Sequence, residues 1–358
     1  MASFPKHPDE LTKAWLGQIL GAELDDFDTE SLGEGAGLLG LLVRVTPRYG
    51  GDHTAGPKSL IAKFATPTAE NRVVAETFDM YGRELRFYAR LANQTTARTP
   101  AVYCAEYDPE SSDFALLIED LSSYRAGDQR EGANLQDAER AIDQLIKLHS
   151  TWWDRTEIEE LAWIPVQDNP VQCAGMSQGF EAGWGVFLEK FGDVLPPGTE
   201  HRFAQIGPQT QACLSRLCSG TRTVVHGDFR LDNLFFGVDG DADKVAFFDW
   251  QGISRSCGPQ DLGYFLSQSL QSEVRREHHD ALLRRYWEGL CDAGIQGYSF
   301  DRCREDYRAA VLYLFTYAVV IAGTLDHSNE RGAAMVRALA SRSAETIHEV
   351  EALDLLDA

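Results

Sequence analysis

The 358-residue sequence lacks three features that would each have set its class. No uninterrupted apolar run reaches the eighteen or so residues that a membrane-spanning helix requires, so no membrane association is expected. The opening residues, Met1-Ala2-Ser3-Phe4-Pro5-Lys6-His7-Pro8-Asp9-Glu10, contain no apolar core of signal-peptide length, and a cytoplasmic location is the expectation. The 7 cysteines are odd in number and unpaired in spacing. The nearest two, Cys213 and Cys218, are five apart in a helical stretch, which argues against structural zinc and a disulfide framework. Positive charge is scarce: 33 Lys and Arg against 55 Asp and Glu leave a formal net charge of -22. That balance opposes nucleic-acid binding and reads as solubilising surface charge.

What is present suits a folded chain of two domains or lobes with one cleft, since 44% of its residues are hydrophobic. Glu10 to Leu20 reads as a short amphipathic helix, with Leu11, Trp15 and Ile19 at spacings of four. Leu38 to Val45 and Ser59 to Ala65 read as strands, separated by the turn-rich Tyr49-Gly50-Gly51-Asp52. Phe78, Tyr81, Leu85, Tyr88 and Ala92 restore helical periodicity, and Ala101 to Tyr107 with Phe114 to Ile118 form an expected antiparallel pair. After Leu121 the pattern is mainly helical, with Asn134 as an N-cap and late helices near 271–293, 302–325 and 332–353. The expected fold is therefore α+β, a small antiparallel-sheet lobe over residues 1–120 followed by a larger helical lobe over 121–358.

The most informative string is His226-Gly227-Asp228-Phe229-Arg230-Leu231-Asp232-Asn233, which sets an Asp and an Asn five residues apart between two apolar strand-like runs. In phosphoryl transfer, such an Asp orients an acceptor hydroxyl and accepts its proton, and the Asn supplies a neutral oxygen to magnesium. Asp249, at the end of the buried-strand pattern Val245-Ala246-Phe247-Phe248, supplies the carboxylate expected to bind the same metal. Lys63 interrupts the apolar strand Ser59 to Ala65, so its ammonium needs an anionic partner; Glu84 is the candidate and Glu76 competes with it. Gly33, Gly35 and Gly37 precede a strand, where they suit either close approach of backbone N–H groups to phosphate or a plain flexible turn.

Together these stretches resemble the kinase-fold small-molecule phosphotransferases, a group that includes aminoglycoside phosphotransferases and choline kinases. In wording they come nearest to the ecdysteroid-kinase-like family. The resemblance runs, in the family's order, through Gly33 to Gly40, Ser59 to Phe64, Glu84 to Leu91, Leu116 to Leu121, Leu145 to Trp153, Val224 to Phe236 and Phe247 to Leu266. It implies a bilobal protein-kinase-like fold using ATP and Mg2+, with Asp228 catalytic and Asn233 and Asp249 on the metal. It further implies that Lys63 grips the nucleotide phosphates, Glu84 holds its ammonium, and Glu119 and Leu121 offer backbone groups to the adenine. Asp261 resembles the structural Asp that braces the catalytic loop. Leu38 stands where the protein-kinase glycine loop has its third Gly. Asp261 follows Asp249 by only twelve positions, leaving no room for a regulatory activation loop.

Two other patterns fail on context. Gly175-Met176-Ser177-Gln178-Gly179 matches a hydrolase nucleophile elbow without a convincing strand before it. Asp239-Gly240-Asp241-Ala242-Asp243 begins like a calcium loop, but Lys244 and Trp250 occupy its required Gly and Glu positions, and it reads as a hairpin turn. The expected activity is transfer of the γ-phosphoryl group of ATP to the hydroxyl of a small-molecule acceptor with a large apolar body. Trp152, Trp153, Trp163, Trp184, Phe180, Phe187, Tyr264, Tyr313, Phe315 and Tyr317 offer an aromatic acceptor wall, though most suit an ordinary core. The alternatives are an aminoglycoside or amino-alcohol phosphotransferase, for which Asp154, Glu157, Glu159, Glu160 and Asp168 supply carboxylates, and a nucleotide-binding pseudokinase.

Overall fold

A computed structural model describes residues 4–32, 39–51, 56–238, 244–324 and 330–357. The chain divides into two compact units: Met1–Thr95, Thr99–Tyr124 and Phe248–Gly252 form the first, and Thr96–Arg98, Arg125–Phe247 and Ile253–Ala358 the second.

In the first unit, strands β1 (Leu24–Leu32), β2 (Gly40–Tyr49), β3 (Leu60–Ala65), β4 (Val102–Asp108) and β5 (Asp113–Glu119) form one sheet in the order β1-β2-β3-β5-β4. All its pairings are antiparallel. β3 is the middle strand, and all its residues but Ile61 are buried, which is why an ammonium within it needs partners. Three helices accompany the sheet: α1 (Lys13–Leu20), α2 (Ala69–Thr77) and α3 (Met80–Arg90). The expected helix from Glu10 begins only at Lys13, because the Thr12 hydroxyl caps it by accepting the Trp15 N–H at 3.2 Å, while Pro8–Glu10 forms a separate 3-10 turn. The periodicity around Tyr81, Leu85 and Tyr88 does lie on one helix, α3, and all three side chains are buried.

β1 has no counterpart in the sequence reading, which starts the strands at Leu38. Of its nine residues only Leu24 is buried, so the alternation that betrays a half-buried strand is missing. Cross-strand ion pairs accompany its pairing with β2 instead: Arg48 reaches Asp26 and Asp28, and Arg44 reaches Glu30. Gly33, Gly35, Gly37 and Leu38 lie outside the described residues.

The second unit holds the short strands β6 (Arg125–Ala126), β7 (Thr223–Val225), β8 (Leu234–Phe236), β9 (Val245–Phe247) and β10 (Ser254–Ser256). β6, β8 and β9 make one sheet, and β7 pairs with β10. Its helices are α4 (Leu135–Trp152), α5 (Pro170–Phe191), α6 (Glu200–Ala204), α7 (Thr210–Cys218), α8 (Pro259–Tyr264), α9 (Ser272–Asp292), α10 (Phe300–Thr324) and α11 (Glu330–Glu349). Asn134 caps α4 as expected, accepting the Asp137 N–H at 2.9 Å. The antiparallel sheet in the N-terminal unit and the helices in the C-terminal one make this the expected α+β arrangement. Ser177 lies in mid-α5, whose N-cap is Asn169, so the strand and sharp turn of a nucleophile elbow are absent there. β8 and β9 are antiparallel neighbours, as a hairpin requires; Asp239 to Asp243 lie outside the described residues.

α10 is long and apolar enough to cross a membrane by length and composition, but 67% of its apolar window is buried inside the protein, where it packs on α5, α7, α8 and α11. Much of the aromatic wall is spent on that packing. Phe180, Trp184 and Phe187 stack along α5, and Phe187 and Phe203 set their edges or faces against Phe315 of α10. The two helices approach closely at Gly183 and Gly323, where a Cβ on Gly183 would lie 2.4 Å from the Val319 carbonyl oxygen. Gly183→Leu should therefore force α5 from α10 and destabilise the protein by roughly 1–3 kcal/mol, lowering Tm by about 2–4 °C per kcal/mol. Thermal unfolding checks this; an unchanged Tm would show that the helices separate without cost.

Candidate functional site

The sequence-predicted residues fall into two groups, one in each unit. In the first, the Lys63 Nζ on β3 donates to Glu84 Oε2 at 2.7 Å, Glu84 Oε1 at 2.9 Å and Asp249 Oδ1 at 2.9 Å. An ammonium has three N–H bonds, and each has found a carboxylate oxygen. Lys63 is 8% exposed and Glu84 1%. Burial works against the Lys63 charge, but the charges of Asp249 and Glu84 outweigh it and its pKa is raised; burial pushes the Glu84 carboxyl upward against the pull of Lys63. Glu76, the competing partner, pairs instead with Arg72 on its own helix at 3.1 Å.

Asp249 lies in Phe248–Gly252, a segment of the first unit. Trp250 stacks on Phe87 of α3 with ring centroids 3.5 Å apart, and Gln251 donates to Glu84 Oε2 at 3.4 Å. Asp249 itself sits at φ 66°, a left-handed conformation that a non-glycine residue adopts at some cost and that marks functional positions more often than others.

In the second unit, the loop His226–Asn233 leaves β7 and ends in a 3-10 turn over Leu231–Asn233. Asp261, at the start of α8 and fully buried, accepts the N–H groups of His226 at 2.6 Å and Gly227 at 2.9 Å and lies 3.2 Å from His149 Nε2. Gly227 turns the chain at φ 83°. His226 Nδ1 accepts the Asp228 N–H at 3.3 Å, so this histidine holds the loop. The Asn233 amide nitrogen donates to both the Asp228 carbonyl and its Oδ2 at 2.9 Å, so neither bond uses the Asn233 side-chain oxygen. Arg230, which the sequence reading passed over, puts its Nε 3.3 Å from Asp228 Oδ1 and its Nη1 2.7 Å from Asp232 Oδ2. Its only sequence signal is a cation two residues after the Asp. Burial and then the Asp228 charge push the Tyr264 phenol well above its ordinary pKa.

Glu119 ends β5 with its N–H on the Ala101 carbonyl at 2.8 Å, and the Leu121 carbonyl accepts the Tyr124 N–H at 2.8 Å. The donor set suits magnesium. Lys63 offsets only one of its two carboxylates, so the group around Asp249 keeps one excess negative charge, and the Asp249 side chain is 29% exposed. Among the described residues no three His, Cys, Asp or Glu groups converge to cage a metal. A hard cation held by one or two protein oxygens and completed by phosphate and water matches that set. Replacing Lys63 with Met leaves Glu84 and Asp249 facing each other without a cation. Urea unfolding should show a loss of about 3–5 kcal/mol, and stability equal to wild type would mean that the group contributes nothing to the fold.

The ecdysteroid kinase-like family model matches residues 34–295. No curated protein matches the sequence. Among solved structures, the Plasmodium vivax ethanolamine kinase is similar at 11% identity with a TM-score of 0.56, covering 91% of this chain and 84% of that one. Choline kinase from Cryptosporidium parvum Iowa II is similar at 8% identity and a TM-score of 0.57, covering 98% and 96%. The GDP complex of wild-type aminoglycoside 2'-phosphotransferase-IIIa is similar at 12% identity and a TM-score of 0.52, covering 89% and 93%. These likenesses give the fold, that of the protein-kinase-like phosphotransferases. With more than half of its length matched by the family model, the chain belongs to the ecdysteroid kinase-like family.

Proposed function

We propose that the protein is a magnesium-dependent kinase that transfers the γ-phosphoryl group of ATP to a hydroxyl of a small, largely apolar alcohol. The observation that carries the reading is the Asp228 carboxylate, held by the Asn233 amide at 2.9 Å and flanked by Arg230 at 3.3 Å. That is an oriented base with an amide donor on Oδ2 and a guanidinium nitrogen within 3.5 Å of both oxygens. Membership of the kinase-like family supports the reaction class, and the nucleotide in the GDP complex of the aminoglycoside 2'-phosphotransferase-IIIa supports a nucleotide donor.

In the proposed reaction, Asp228 takes the proton of the acceptor hydroxyl as its oxygen bonds to the γ-phosphorus and the bond to the β,γ-bridging oxygen breaks, releasing ADP. Lys63 keeps two N–H bonds on Glu84; the third, on Asp249 at 2.9 Å, turns to a phosphate oxygen. Asp249 and the Asn233 side-chain oxygen are the residues that would hold magnesium. Bound magnesium neutralises phosphate charge as it builds. Glu119 and Leu121 supply main-chain groups to the nucleotide base.

The apolar-acceptor reading is supported by a pair of aromatic side chains in the same unit as Asp228. Tyr264 and Tyr317 both sense its charge, and their rings lie 5.6 Å apart. Of the carboxylates named for an aminoglycoside, Glu157 is bound to Arg222 at 2.7 Å, while Asp154, Glu159 and Glu160 are exposed and Asp168 is half-buried.

Asp228→Asn keeps the shape of the base and removes its charge. Turnover should fall by roughly 10²–10⁴-fold while ATP affinity stays within about threefold, and wild-type turnover in this variant would end the assignment. Acceptor class is read from salt. For a largely apolar alcohol, acceptor affinity should change less than about tenfold between 0.1 and 1 M salt, over which the Debye length falls from about 10 to 3 Å. A steep loss, with preference for polyamines, would favour an aminoglycoside.

A further inference from the structure

Gln129 is fully buried, outside the sequence-predicted site, and every polar atom of its side chain is used. Its Oε1 accepts the Leu231 N–H at 2.9 Å and the Ser269 hydroxyl at 3.0 Å, and its Nε2 donates to the Gln268 carbonyl at 2.6 Å. Its main-chain N–H donates to Asp232 Oδ1 at 2.9 Å. The other oxygen of Asp232 accepts Arg230 Nη1, whose Nε faces Asp228. Gln129 thus sets Asp232, Asp232 sets Arg230, and Arg230 flanks the Asp228 carboxylate. Close approach of the two backbones is built in, since a Cβ on Gly127 would meet the Leu231 carbonyl oxygen at 2.2 Å.

Arg342 on α11 closes this arrangement from the far side. It is 9% exposed, and its hydrogen bonds go to main-chain carbonyls: Nη1 to Gln129 at 2.6 Å and Gln268 at 3.2 Å, Nη2 to Arg130 at 2.9 Å. A buried guanidinium bound to carbonyls rather than to a carboxylate is a poor choice for stability alone. Its carbonyls belong to the two segments that hold the loop, Gln129–Arg130 and the π-helical Phe265–Ser269. Room for Nη2 depends on Gly132, at φ 80°, where a Cβ would lie 2.8 Å away.

We propose that Gln129 is a positioning residue for the loop carrying Asp228 and that Arg342 locks it in register, a role that rests on the reading of this loop as catalytic. It is tested by Gln129→Leu, Gln129→Glu, Arg342→Met and the double variant Gln129→Leu/Arg342→Met. Arg202→Met, which loses bonds to Leu353 and Asp357 away from the loop, is the stability control.

Two readouts are taken: hydrogen exchange of the Leu231 amide, and kcat and KM for ATP. In Gln129→Leu the Leu231 amide should exchange at least about tenfold faster, and kcat should fall at least about tenfold with KM for ATP within about threefold. Gln129→Glu keeps an acceptor for the Leu231 N–H but loses the donor to the Gln268 carbonyl, so both readouts should fall between those of wild type and Gln129→Leu, and the double variant should be no worse than the worse single one. Exchange at Leu231 within about twofold of wild type, or a response that Arg202→Met reproduces at equal loss of Tm, overturns the proposal. If Gln129→Leu does not fold, Ser269→Ala carries the same exchange test, since its hydroxyl also lies 3.3 Å from the Leu231 nitrogen. Exchange needs no turnover, so absence of ATP turnover in the wild type would overturn the catalytic reading while Leu231 still decides the positioning role.

Discussion

An ammonium in the middle strand of a sheet must be met by anions, and much of the first unit answers that need. Lys63 is buried between β2 and β5, where solvation of its charge is lost. Glu84 meets it from α3, and Asp249 meets it from a segment 186 residues further along the chain. Such a distant contact is costly to close, which fits the extra fastening around it: Trp250 on Phe87 and Gln251 on Glu84. In the proposed reaction the same bond has a second use. The Lys63 to Asp249 contact occupies the donor that a phosphate would take and the carboxylate that a metal would take, so substrate binding exchanges one buried ionic arrangement for another.

The second unit solves a different problem, that of holding a loop still without regular structure. Asp261 accepts two consecutive N–H groups at its start, and Gln129 receives the Leu231 N–H near its end. Asp228 lies between those anchors, and Asn233, His226 and Arg230 all bear on it. In the proposed reaction Asp228 is the base, and such over-determination would serve it, because small displacements cost large factors in rate.

The sequence made the charged residues legible because each breaks a local pattern. Lys63 interrupts an apolar strand, and Glu84 lies at helical spacing beside an apolar stripe; the structure pairs them and gives Glu76 to Arg72. Asp228 and Asn233 were visible through their spacing, and Asn134 through its place before an amphipathic run. What escaped notice depends on cross-strand or remote partners, or on a local backbone angle. β1 is marked by ion pairs to β2 rather than by alternation. The separation of α2 from α3 turns on Asp79 at φ 50°, which no composition signals. Gln129 is an ordinary glutamine until the chain brings it to residues 102 and 103 positions away.

The central claim is a chemical one, that a phosphoryl group passes from ATP to an alcohol with magnesium present. Phosphorus NMR of the protein with ATP, magnesium and a panel of sterols, simple alcohols, amino alcohols and aminoglycosides observes it directly. The account predicts a new phosphomonoester resonance, matched by loss of the γ-phosphate signal, with an acceptor of large apolar body, and its absence when EDTA removes the metal. Loss of ATP yielding inorganic phosphate alone with every acceptor, or ester formation indifferent to EDTA, would contradict it.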